Sequence, residues 1–140
     1  MRSPARFGGL AADSRGSVAV EFALFLPMLL TIIFAIVELG GAWYSQQMLV
    51  NAAREGARLG VAHQTEGVTT QQVVTLVTNN LTTSGFPGAV TVTATNVESG
   101  TGAQVRVTVT SPYQFPVLGN LVPGLTGLIT LQADSVMRHE

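Results

Sequence analysis

The chain has no cysteine and no lysine, and only 11% of its 140 residues are charged. Without cysteine there is no disulfide scaffold, no thiol nucleophile and no thiolate metal site, and the redox compartment is left open. All seven basic residues are arginines; against eight acids they leave a formal net charge of −1. The lack of lysine reads as genome composition rather than mechanism. No basic patch is present, so nothing favours nucleic acid as a partner. Acid–base groups for neutral pH are equally scarce. His63 and His139 are the only two histidines, and neither has an Asp, Glu or second His at ligand spacing beyond the nearby Glu66. A Gly-rich phosphate loop, a Ser-x-x-Lys pair and a Gly-x-Ser-x-Gly elbow are all missing. The expectation is a protein that is not an enzyme and that holds no cofactor and no metal.

What the chain does have is apolar length. Hydrophobic residues make up 46% and mean hydropathy is +0.39, with the excess concentrated before Trp43. Phe22 to Val37 carries no charge, and the apolar character runs from Val18 to Tyr44, interrupted by Glu21 and Glu38. A bilayer needs ~20 mostly apolar residues, so this segment spans one with some tilt. Met1 to Gly16 carries Arg2, Arg6 and Arg15 against the single acid Asp13 and has no apolar core. A secretory signal places its apolar region before the cleavage site; here the apolar run follows Gly16. The arginine-bearing side stays in the cytoplasm, which gives a single-pass, N-in topology. Trp43 and Tyr44 stand where an interfacial aromatic anchor belongs. Pro27 removes a backbone donor inside the span and predicts a kink. Glu38, near the outer interface, reads as a snorkelling acid.

Glu21 is harder to place. A carboxylate within a membrane-length segment costs roughly 2.5–3.5 kcal/mol on insertion scales. It stands five residues after Gly16, which closes the arginine-bearing leader. On its own it reads equally well as an acid near a helix start that reaches headgroups and favours the dipole.

The block RGSVAVEFALFLPMLL, followed downstream by NAAREGARLG, resembles the TadE-like family of the tight-adherence (Tad/Flp) pilus, minor pseudopilins related to type IV pilins. The similarity covers Arg15 to about Val61; the C-terminal half agrees only in pattern and length. The resemblance implies cleavage after Gly16 by a prepilin peptidase, leaving Ser17 as the new N-terminus. It implies that Glu21, followed by Phe22, sets subunit register by pairing with the terminal amine of an adjacent subunit. It also implies as partners the prepilin peptidase, other pilins and pseudopilins of the Tad system, an inner-membrane assembly platform and membrane lipid. The implied location is the bacterial inner membrane, with possible incorporation into a surface pilus. The chemistry is compatible: glycine leaves a scissile bond unhindered, and a freed α-amine, with a reference pKa near ~8, is largely protonated at neutral pH. In a low dielectric either charge left alone is costly, so each is the other's natural partner.

Past Tyr44 the helical pattern continues. Leu49, Ala52, Ala53, Gly56 and Gly60 share a narrow face of mostly small residues, with Asn51, Arg54, Glu55 and Arg58 largely opposite. Small residues permit close backbone approach, so Arg54, Glu55, Gly56 and Arg58 are candidate packing contacts. A helix from Ser17 to about Val61 would be ~68 Å long. Gln64 to Gly67 reads as a loop. Thr69-x-x-Gln72 is a capping-box pattern before Val73, Leu76, Val77 and Leu81, with Gly85 as a stop. Two alternating runs follow the Phe86-Pro87-Gly88 turn: Val90, Val92 and Ala94, then Val105, Val107 and Val109, joined by a hairpin loop at Glu98 to Gly102. A third strand is expected over Ile129 to Arg138, after an irregular crossing loop from Ser111 to Gly127. The fold class is therefore α+β: a long N-terminal transmembrane helix continuing into a small extracytoplasmic domain with a second helix and a three-stranded antiparallel sheet. The domain divisions are a leader over 1–16, a transmembrane helix over 17–44 and an extracytoplasmic TadE-like domain over 45–140. The rival functional reading is an uncleaved, single-pass anchored periplasmic adaptor or binding module.

Overall fold

The computed structural model describes residues 14–62, 66–121 and 129–139. Helix α1 runs from Ser14 to Val61, 48 residues, or about 72 Å at the standard rise. It passes through Pro27 without interruption, and the Thr31 hydroxyl donates to the Pro27 carbonyl at 2.8 Å. Its two halves differ in burial. No residue from Gly16 to Val37 is buried. From Leu49 onward, the narrow face closes against the rest of the domain, with Leu49, Ala52, Ala53 and Ala57 all buried.

Helix α2, Thr70–Thr83, starts on the capping box that the sequence predicts. The Thr69 hydroxyl accepts from the Gln72 amide at 3.3 Å, and the Thr69 amide donates to Gln72 Oε1 at 2.8 Å. The Thr70 amide, another of the free donors at the helix start, reaches Glu98 Oε1 at 3.0 Å. Val73, Val77 and Leu81 form the buried stripe of α2. Gly85, at φ +73°, ends the helix in the left-handed conformation that glycine adopts without strain.

Strands β1 (Thr91–Thr95), β2 (Gln104–Tyr113) and β3 (Ile129–Arg138) form an antiparallel sheet in the order β1-β2-β3. Register puts Val92, Val109 and Ala133 in one row and Ala94, Val107 and Ser135 in the next. These rows form the inner face, with Val105, Val107 and Val109 fully buried against the helices. Gly56 and Gly60 set how near the layers come. A Cβ on Gly56 would overlap Val77 Cγ2 and lie 3.3 Å from Val107 Cγ1; one on Gly60 would lie 2.7 Å from Val105 Cγ1. The β1–β2 hairpin is pinned by His139. Its amide donates to the Ala103 carbonyl at 3.0 Å, and its buried ring places Nε2 3.2 Å from the Asn96 carbonyl.

One expectation needs correction. The segment beginning at Ser111 is not irregular from its first residue, because β2 continues to Tyr113. β3 stays paired with it to the Tyr113–Ile129 register, after β1 has ended. Pro112, lacking an amide hydrogen, lies where the β1 flank is already open, so it interrupts no ladder there. Ser111 is buried, its hydroxyl donating to the Ala89 carbonyl at 2.8 Å. A four-residue helix, α3 (Leu118–Leu121), follows. The remainder of the expected crossing loop, like the 1–13 part of the leader, His63, and Gln64 and Thr65 of the Gln64 to Gly67 loop, lies outside the described residues.

Candidate assembly surface of the stem helix

Gly16 and Ser17 lie in the first turns of α1, both exposed. Among the described residues, a Cβ added at Gly16 would meet nothing within 4 Å, so packing among them makes no demand for glycine there. Glu21 is exposed one turn further on, and among the described residues it has no hydrogen-bond or ion-pair partner. Phe22 beside it is 60% exposed. α1 contains an 18-residue window of mean hydropathy 2.5, none of it buried, and is long and apolar enough to cross a membrane. Pro27 lies within this exposed half, and Trp43 and Tyr44 project from its far end, 71% and 66% exposed. A helix serving as the core of a water-soluble domain would bury such a stretch.

The candidate packing residues divide. Gly56 is buried against α2 and β2 within the subunit. Arg54 and Arg58 are exposed, and Arg58 Nη2 pairs with Glu55 Oε1 at 2.7 Å. The hydrogen bond from Arg58, reinforced by its charge, holds the Glu55 carboxyl below the usual carboxylate range and raises the Arg58 guanidinium. Such an exposed i,i+3 pair contributes little to stability. An open groove of about 790 Å³ between α1 and α2 is lined by Tyr44 and the amides of Gln47, Asn51, Asn79 and Asn80, with Glu55 as its one carboxylate. Among the described residues, no three His, Cys, Asp or Glu side chains gather to hold a metal ion.

Glu38 does not snorkel. It is 8% exposed. Its carboxylate accepts from the Val117 amide at 2.5 Å and the Leu118 amide at 3.0 Å. Its own carbonyl accepts from the Tyr113 hydroxyl at 3.3 Å, close to Gly41, where a Cβ would sit 3.1 Å from that same hydroxyl. Tyr113 in turn meets Phe115 edge-on, with ring centroids 5.4 Å apart, so these aromatics anchor the segment to the stem. Two amides at the start of α3 replace the water or headgroup that the isolated sequence supplies to Glu38. The available signal was a second acid in an apolar helix, but its donors lie 79 and 80 residues away.

Residues 16–58 match the model of the TadE-like protein family. That segment is similar to the TadE-like family. The match begins at Gly16 and takes in Glu21, Glu38, the aromatic pair and the Arg54–Arg58 stretch, ending before α2. The sheet lies beyond the matched segment. Neither a curated protein nor a solved structure matches the chain. The family suggests a component related to the Tad pilus, and the apolar helix in the same segment fits a single-pass membrane anchor.

Proposed function

We infer that this protein is a minor pseudopilin, a structural or assembly-priming component of the Tad pilus, processed by a prepilin peptidase between Gly16 and Ser17. The observation that carries the reading is Glu21: an exposed carboxylate without a partner among the described residues, on an unburied apolar helix, five residues after a glycine that no contact among those residues requires. A group that costs energy in lipid and has no partner among the described residues points to one in a neighbouring molecule. The amine freed at Ser17 of an adjacent subunit has the right charge and lies on the same stretch of helix. Glu21 then selects the axial offset at which both charges are satisfied. Before assembly, α1 anchors the chain in the inner membrane with the arginine-bearing leader in the cytoplasm, and an assembly platform extracts it. The family is a structural one, and the role requires no catalytic group.

Intact mass of the membrane-extracted protein tests the cleavage. Cells containing the peptidase should yield a chain beginning at Ser17, whereas retention of Met1 to Gly16 would favour the anchored-adaptor reading. Glu21→Ala tests the register role: membrane insertion should be normal and piliation impaired, and unchanged piliation would refute it.

A further inference from the structure

The aromatic pair Trp43 and Tyr44 marks the outer interface on α1, and Glu38 stands five residues before Trp43, about 7.5 Å deeper along the axis. A carboxylate at that depth is expensive unless it is hydrogen-bonded. It is bonded, and its donors are the Val117 and Leu118 amides, so the segment that supplies them descends below the aromatic pair with it. The composition of this segment suits the environment. No charged residue occurs between Arg106 and Asp134, so nothing charged in this segment opposes its lying at that depth. Leu118 is turned inward and 5% exposed, while Val117 and Leu121 are turned outward, 37% and 52% exposed. Ile129, 38% exposed, joins them because it pairs in register with Tyr113, whose hydroxyl rests on the Glu38 carbonyl. One polar group nearby is provided for: the Asn120 side-chain amide donates to the Pro116 carbonyl at 2.8 Å.

We propose that Val117, Leu121 and Ile129 form a second membrane contact, seated in the outer interface of the bilayer that α1 spans and held at that depth by the Glu38 clamp. The partner is the lipid surface. Its apolar upper acyl region is the occupant, since the segment offers no charge to a headgroup. The segment is bonded to α1 at Glu38, so the lipid that surrounds the helix there also reaches the patch. The domain consequently rests on the membrane at a fixed tilt instead of swinging on its stem. This inference depends on α1 being a membrane span.

The absence of native cysteine permits a direct test on the full chain in lipid nanodiscs at one protein per disc. An environment-sensitive fluorophore is attached in turn to Leu121→Cys, Val117→Cys, Leu24→Cys within the span and Thr93→Cys on the outer sheet face. Brominated phosphatidylcholine should quench the probes at 121, 117 and 24 but not at 93, and aqueous iodide should quench those at 121 and 117 at least about fivefold less than that at 93, as for side chains buried in the interface. Probes at 121 and 117 that behave like 93, with 24 still quenched by the lipid, would overturn the proposal and leave the anchor standing. Protection of 121 and 117 from both quenchers would mean that protein covers the patch, and would also overturn it. A probe at 24 insensitive to brominated lipid would overturn the membrane span itself, and the second contact with it.

Discussion

Removing the Glu38 carboxylate should loosen one segment while leaving the rest of the fold nearly untouched. Glu38→Ala deletes the acceptor for two amides, one of them on the buried Leu118. A hydrogen bond to a charged group contributes ~1.5–3 kcal/mol, and an orphaned buried donor costs ~1–3 kcal/mol. Against the sum stands the relief of no longer holding a carboxylate away from water, which offsets part of it. The net local cost is on the order of 3 kcal/mol, which shifts the opening equilibrium of the segment about a hundredfold. Glu38→Gln retains one acceptor oxygen and should cost about half as much, a shift of roughly tenfold. Hydrogen–deuterium exchange read by mass spectrometry on the full chain in nanodiscs reports this directly. Peptides covering Val117 to Leu121 should exchange faster in the order wild type, Gln, Ala, while those from Val105 to Val109 in the central strand keep their protection. Unchanged exchange over 117–121 in Glu38→Ala would refute the clamp, and equal acceleration in β2 would show that the effect is not local.

Gly56→Ala should destabilise the domain by about 1–3 kcal/mol through overlap with Val77, despite the ~1 kcal/mol that alanine gains over glycine in a helix. Gly40→Ala, where a Cβ meets nothing within 4 Å, should be neutral or slightly stabilising; thermal unfolding in detergent compares the two, and equal melting temperatures would contradict the packing account. Thr69→Ala removes the cap of α2 and should cost about 1 kcal/mol in a denaturant titration, with Thr69→Ser restoring most of it. Asp134 is held below the usual carboxylate range by the Thr108 hydroxyl, then by the Gln132 amide and the Arg106 charge. Its folded-state pKa lies below its unfolded value, so its contribution is complete above the ordinary value of 3.8 and is lost as pH falls through the folded one. The melting temperatures of wild type and Asp134→Asn should therefore differ at neutral pH and converge on acidification below about pH 4; a constant difference would remove Asp134 from the account.

Much of this architecture follows from short-range patterns. The alternating valines of β2 and the three-and-four spacing from Leu49 to Gly60 define which faces are buried, and the Thr69–Gln72 pair marks the α2 start within four residues of chain. Misread features depend on partners distant in sequence. Glu38 sits in the same kind of apolar helix whether headgroup or amide satisfies it, and only the return of residues 117 and 118 to the stem decides. Pro112 argues against a strand until β1 is seen to stop short of it. Glu21 is different again. Its local setting reads clearly, but its proposed counter-charge belongs to another molecule, so neither the sequence nor the single subunit contains it.

The unbroken course of α1 from Ser14 to Val61 has one more consequence. Each residue of a helix advances the azimuth by about 100°, so the bearing of Glu21 relative to the core face at Gly56 is fixed once the helix forms. Because that face is sealed against α2 and β2, the domain cannot turn about its own stem. The stem behaves as a keyed shaft: a neighbour that engages Glu21 chooses both how far along the axis the subunit sits and the compass direction in which its sheet faces.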